Sequence, residues 1–302
     1  MPAEVQKTEK NIGLIDDPAP NAPPWEEHWL DLAGGRMRYL QAGSGRPLIL
    51  VHGLMGYAFS WRFSIPALAP HATVYAIDNL GAGLSTAPKG MNCTMQATAE
   101  RVLQFADAMG ITDFDLLGTS HGGAVAMMAA ALCTTRHDHR LKRLILVAPV
   151  NPWSPHGRWL APFVGSDLGS VLFGHTIARR RFLDYLWLRR LFGDGAKIPP
   201  DSLEGYRLPV RANHAFHHAV HIVRTWTADL AEIERTLAKI GDYPTLLMWG
   251  TRDRAVSFRS AEPVRKYFRH CSLVAFEGVG HLPYEEAPEE FNRALVAFIA
   301  KS

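Results

Sequence analysis

The chain has 302 residues, of which 47% are hydrophobic, and a formal net charge of +3, so it can bury the core of one large α/β domain carrying an insertion. The charge is only mildly basic, and there is no lysine-rich run, zinc-finger spacing or aromatic-basic alternation, so no nucleic-acid partner is predicted. Three scattered cysteines (Cys93, Cys133, Cys271) exclude a disulfide framework, and the opening residues lack the apolar stretch of a secretory signal. With no apolar run near the ~18 residues of a membrane span, a cytoplasmic protein without an integral membrane segment is expected.

Residues 1–28 read as an N-terminal arm, polar and then proline-rich over Asp17 to Pro24. Alternation from Trp29 to Ala42 around Gly34-Gly35 predicts an antiparallel hairpin. Pro47–Val51 and Val74–Ile77 are wholly apolar, as strands buried on both faces of a parallel sheet are. Helical spacing from Met95 ends at Met109 before the C-cap Gly110. Then come a strand at Phe114–Leu117, a small-residue helix at Ala124–Leu132, and a buried strand at Leu144–Val150. That alternation resumes at Thr245–Trp249 and Leu273–Phe276, and closes with an amphipathic helix from Pro288 to Ala300. The expected architecture is α/β: a mostly parallel, doubly wound sheet of about eight strands. Residues 29–150 and 230–302 form its core, and residues 151–229 form a helical cap inserted after the sixth strand, over the carboxyl ends where open sheets hold ligands.

Between the strand at Phe114–Leu117 and its helix lies Gly118-Thr119-Ser120-His121-Gly122, a G-x-S-x-G pattern. A strand, a sharp turn and a helix in this order expose the middle serine as a nucleophile, which needs a base and an acid from elsewhere in the chain. His281, in Gly278-Val279-Gly280-His281 between the last strand and the last helix, is the predicted base among 14 histidines. Asp253, in Gly250-Thr251-Arg252-Asp253 after the strand at Thr245, is the predicted acid; the rival position at the end of the Leu144–Val150 strand holds uncharged Asn151. The backbone N–H groups of Leu54 and His121 are the predicted oxyanion hole. His52 is expected to brace its loop.

These motifs, with His52-Gly53 and Asp78-x-x-Gly81-x-Gly83-x-Ser85, resemble the α/β-hydrolase superfamily from Trp29 to Ala300. The resemblance implies that fold and a Ser120, Asp253, His281 triad, with no cofactor and no metal. Ser120 sets the chain apart from the similar haloalkane dehalogenases and epoxide hydrolases, which attack through a carboxylate. The absence of His-Gly-Gly-Gly and Gly-Pro-Gly after the third strand sets it apart from hormone-sensitive-lipase-like esterases and proline iminopeptidases. A meta-cleavage C–C hydrolase usually has a tryptophan shortly after the histidine, where this chain has Leu282-Pro283-Tyr284-Glu285. What remains resembles a capped serine carboxylesterase acting on a small-molecule ester of small to medium apolar acyl groups. A C–C hydrolase, a thioesterase and a ligand receptor on a hydrolase scaffold are the alternatives, and the oligomeric state stays open.

The 151–229 segment carries ten Lys and Arg against six Asp and Glu. Either its aromatics form its own core with the arginines in water, or they form an apolar acyl pocket whose rim favours some negative charge. Met55, Trp153, Trp159, Phe163, Trp187 and Leu282 are the candidate pocket residues. His214, His217, His218 and His221 recur at i, i+3, i+4 and i+7, opposite Ala212, Phe216, Ala219, Val223 and Trp226. Pairs of this spacing chelate metals, but no carboxylate is interleaved and the triad chemistry calls for none.

Overall fold

A computed structural model describes residues 23–154, 161–166, 169, 181–210 and 213–300. Among these, β1 (Glu26–Leu32) and β2 (Gly35–Ala42) form the expected hairpin, paired antiparallel from Glu26↔Gln41 to Leu32↔Gly35. β3 (Pro47–Val51), β4 (Thr73–Ile77), β5 (Phe114–Thr119), β6 (Leu141–Val147), β7 (Thr245–Gly250) and β8 (Cys271–Phe276) complete an eight-stranded sheet of order β1-β2-β4-β3-β5-β6-β7-β8. From β4 to β8 every pairing is parallel. The central strands are apolar because both faces are covered: Leu48, Ile49, Leu50 and Val51 have no exposed surface.

One face packs on α1 (Met95–Ala108) and α2 (His121–Arg136). Thr94 caps α1, its Oγ1 accepting the Ala97 N–H at 3.2 Å. Between β6 and β7 lie the short helix Ala161–Gly165 and the longer α3 (Arg181–Leu191), α4 (Ser202–Val210) and α5 (Asn213–Leu237), and on the other face Trp61, Ile65 and Leu68 share a core with Phe291 and Leu295 of α6 (Pro288–Ile299).

Most strand and helix ends shift by a few residues, and two of the differences from the sequence reading bear on the site. β6 ends at Val147 and not at Val150, because Ala148 turns to φ 41° and Pro149, lacking an N–H, cannot extend a ladder. α5 runs on to Leu237 through the expected junction at residue 229, since Leu230, Ile233 and Leu237 continue its buried stripe. That stripe also moves His218. With Ala219, Ile222 and Asp229 it falls on the buried side, at the i, i+4, i+11 spacing of one helical face, while His217 and His221 are exposed. The side chain of His214 lies outside the described residues.

Candidate active site

The sharp turn after β5 owes its shape to two glycines. A Cβ on Gly118 would sit 2.1 Å from the Gly122 carbonyl oxygen, and one on Gly122 would sit 2.4 Å from those of both Val51 and His52. Only bare backbone lets β5, α2 and the β3 exit meet this closely, and Ser120 at their junction takes φ 54°, ψ −119°. Its N–H donates to the Val147 carbonyl at 2.8 Å, and its own carbonyl accepts from Val150 at 2.9 Å, so the exit of β6 holds the strained residue in place.

The loop after β3 passes alongside. A Cβ on Gly53 would lie 3.2 Å from the Cβ of Ser120 and 3.8 Å from its Oγ. This loop is a turn closed by the Gly56 N–H on the Gly53 carbonyl at 3.0 Å, with Met55 at φ 61°. Among the described residues neither the Leu54 nor the His121 N–H donates to another group, and the His121 N–H belongs to the first turn of a 16-residue helix. Free amides at such a helix start favour negative charge.

His281 and Asp253 are brought together from the exits of β8 and β7. His281 Nδ1 lies 2.7 Å from Asp253 Oδ2, and both residues are buried. The other carboxylate oxygen, Oδ1, accepts the N–H groups of Ala255 at 2.7 Å and Val256 at 2.9 Å. Asp253 therefore pairs with the histidine and the backbone, despite the flanking Arg252 and Arg254. Ser120, Asp253 and His281 all sit at carboxyl ends of parallel strands, one edge of the sheet. At the rival acid position, Asn151 folds into a polar turn, Oδ1 accepting from Trp153 and Ser154 and Nδ2 donating to Pro149 and Ser260.

The His281 loop is clamped by groups that the sequence reading missed. Its N–H donates to Leu191 at 2.6 Å, and Glu286 accepts three backbone N–H groups: Gly193 at 2.9 Å, Asp194 at 2.8 Å and Gly280 at 2.7 Å. One carboxylate thus ties the α3 exit to the residue before His281. Its neighbour Glu285 receives Arg62, Ser202 at 2.9 Å and the Tyr206 hydroxyl, which fastens α4 to the same short helix, Pro283–Glu286. Replacing Glu286 by Ala strands three donors at about 1 kcal/mol or more each. Glu286→Ala is expected to lose ~3 kcal/mol in urea unfolding, and an unchanged midpoint would contradict the clamp.

A pocket opens between α5 and the loop after β3, whose Gly53 packs against Ser120. The β3 loop lines it with Gly53, Leu54 and Met55; His52, Asn79 and His121 line its floor, and His218, Ala219 and Ile222 come from α5. No Lys, Arg, Asp or Glu lines it. Of the predicted pocket residues only Met55 lies here among the described ones, together with Leu54 and His121 of the predicted oxyanion hole. Phe163 and Trp187 are exposed, Leu282 is in the core against Tyr284 and Phe291, and Trp153 packs on Tyr267 at 5.4 Å. Trp159 lies outside the described residues. Among the described residues no cluster of three or more His, Cys, Asp or Glu could hold a metal.

Two of the pocket histidines, His52 and His121, are held toward the neutral form. His52 Nδ1–H donates to the Gly53 carbonyl at 2.8 Å, and Nε2 accepts the Asn79 N–H at 3.1 Å, so the ring braces its loop. Burial, reinforced by His218 and His52, pushes the His121 pKa down to about 3, and burial lowers that of His52. An unfolded histidine takes up a proton below about 6.5, whereas folded His121 does so only near pH 3. The His121 contribution to stability is therefore present above pH 6.5 and is lost as pH falls toward 3, by roughly 1.4 kcal/mol per pH unit, and His52 acts in the same direction. Denaturant unfolding between pH 7 and 5 is expected to show this slope, and His121→Phe to remove one proton of it; identical slopes would contradict the assignment.

The profile described as Alpha/beta hydrolase family matches residues 48–294. The chain belongs to that family. Among curated relatives of this α/β hydrolase, "Haloalkane dehalogenase 2" of Mycobacterium tuberculosis (strain ATCC 25618 / H37Rv) is 30% identical over 288 residues, covering 92% of this chain and 96% of that one. "2-hydroxy-6-oxo-2,4-heptadienoate hydrolase" of a Pseudomonas putida strain is 26% identical, covering 89% and 95%. Among solved structures, a bacterial membrane phospholipase A is 27% identical with a TM-score of 0.75, covering 93% of this hydrolase and 88% of that chain. No helix among its described residues is long and apolar enough to cross a membrane.

Proposed function

We propose that this α/β hydrolase is a serine esterase cleaving neutral carboxylic esters through an acyl enzyme, with residues 151–229 as its cap. The observation that carries the reading is the buried 2.7 Å contact between His281 Nδ1 and Asp253 Oδ2. With Asp253 accepting at Nδ1, the ring keeps its proton there and leaves Nε2 as the base for Ser120 Oγ. Oγ attacks the ester carbonyl and the Leu54 and His121 amides receive the oxyanion. His281 then returns the proton to the departing alcohol, and water, activated by the same ring, frees the acid. The relative named as a dehalogenase does not carry its chemistry over, because the residue in the strained turn here is a serine and not a carboxylate.

Steady-state hydrolysis of p-nitrophenyl esters from acetate to decanoate tests the reading. An optimum at short to medium acyl length is expected, because Leu54, Met55, Ala219 and Ile222 give the pocket an apolar wall beside its polar residues. Inertness toward every ester would overturn it. The similarity to a 2-hydroxy-6-oxo-2,4-heptadienoate hydrolase supports a second reading, C–C bond hydrolysis by the same three residues. Faster turnover of such a dienoate than of any ester would favour it.

A further inference from the structure

Two of the residues that line the pocket between α5 and the β3 loop carry buried polar atoms that the ester reaction does not use. Asn79 Oδ1 and His121 Nε2 are both buried and have no hydrogen-bond partner among the described residues. Both residues line this pocket, and each is about 3% exposed. Buried polar groups left without partners are rare, and they mark places where a ligand group or a bound water completes the bonding. The pair is built into its position. The Asn79 N–H is held by His52 at 3.1 Å, and the His121 ring stacks on Trp226 at a centroid distance of 6.2 Å. Across the pocket, His218 is fixed by Cys93 Sγ at 3.4 Å from its Nδ1, and a Cβ on Gly81 would lie 2.4 Å from that same nitrogen.

The chemistry of these atoms selects the partner. A hydroxyl both donates and accepts, so with the His121 ring proton on Nε2 it donates to Asn79 Oδ1 and accepts from Nε2. A carboxylate only accepts; it offers nothing to Asn79 Oδ1 and finds no cation in the lining. An alkyl group buries the apolar walls but leaves both atoms unmet.

We infer that this pocket is a subsite for an uncharged, hydroxyl-bearing part of the substrate, held by Asn79 and His121 and closed over by His218 of α5. The subsite abuts Ser120 through Gly53 and His121, so the hydroxyl belongs within a few bonds of the scissile carbonyl. As a statement about substrate class it rests on the esterase reading; as a statement about binding it does not.

The test has a turnover arm and a binding arm. In the first, kcat/KM is measured for p-nitrophenyl butanoate, its 2-hydroxy and 3-hydroxy derivatives and the mono-p-nitrophenyl ester of succinic acid. One hydroxy ester is expected to exceed butanoate by about tenfold, the value of one or two buried hydrogen bonds, and the succinate to fall below it. Asn79→Leu, which keeps the side-chain shape, should bring the hydroxy preference close to unity. In the second arm, Ser120→Ala is titrated calorimetrically with methyl butanoate and the methyl 2- and 3-hydroxybutanoates, and the same preference is expected in Kd. Ester turnover with no hydroxyl preference in either arm overturns the subsite and leaves the esterase standing. Absence of all turnover overturns the esterase, and the binding arm then decides the subsite alone. Should Asn79→Leu fail to fold, the wild-type preference decides: its absence, as when a bound water already satisfies both atoms, overturns the inference.

Discussion

Ser120→Ala is expected to lower kcat on the best p-nitrophenyl ester by about 10⁴ to 10⁶-fold, with KM changed far less. The size follows from the role. Without Oγ there is no acyl enzyme, and what survives is the contribution of the oxyanion amides and of substrate binding. The alanine also keeps the strained backbone, since Ser120 is fixed at φ 54° by bonds of its main chain to Val147 and Val150 and not by its hydroxyl. Thermal unfolding should therefore shift little or upward. A loss of activity smaller than about tenfold would mean that another group attacks.

The second large effect comes from a single-atom change. In Asp253→Asn the two backbone N–H groups of Ala255 and Val256 retain the side-chain oxygen at the Oδ1 position, so the new NH₂ occupies Oδ2 and faces His281 Nδ1. Nδ1 must then accept, which moves the ring proton to Nε2, where it blocks removal of the Ser120 proton. A fall in kcat of about 10⁴-fold is expected with an unperturbed fold. Asp253→Ala, which imposes no wrong tautomer, should fall less steeply or comparably but lose stability, because it strands the Ala255 and Val256 amides. Activity of Asp253→Asn within tenfold of wild type would show that the carboxylate only supports its loop.

Much of this was legible because it is written in local chemistry. Pro47–Val51 reads as a buried strand since every residue is apolar, and Gly118 and Gly122 announce the turn since no other residue fits contacts of 2.1 and 2.4 Å. His281 and Asp253 were legible from their places after β8 and β7. What stayed hidden depends on long-range packing. Glu286 sits in a Tyr-Glu-Glu run that reads as ordinary helix-start charge, and nothing nearby says that Gly193 and Asp194 will reach it. His218 belongs by spacing to a histidine row, but the buried stripe of α5 extends into Leu230, Ile233 and Leu237 and rotates that face inward. The exposure of Phe163 and Trp187 was equally invisible, because an aromatic-rich segment does not reveal which side meets water. Asn79 carries no motif of its own; its signal is an unmet atom, which only the fold discloses.

The central claim is that Ser120 is an activated nucleophile. Incubation with a fluorophosphonate and intact-mass analysis, followed by peptide mapping, tests it without any choice of ester. A single adduct on the peptide containing Ser120, formed rapidly in the wild type, slowly in Asp253→Asn and not at all in Ser120→Ala, is the predicted result. An unmodified wild type, or an adduct on another residue, would contradict the account.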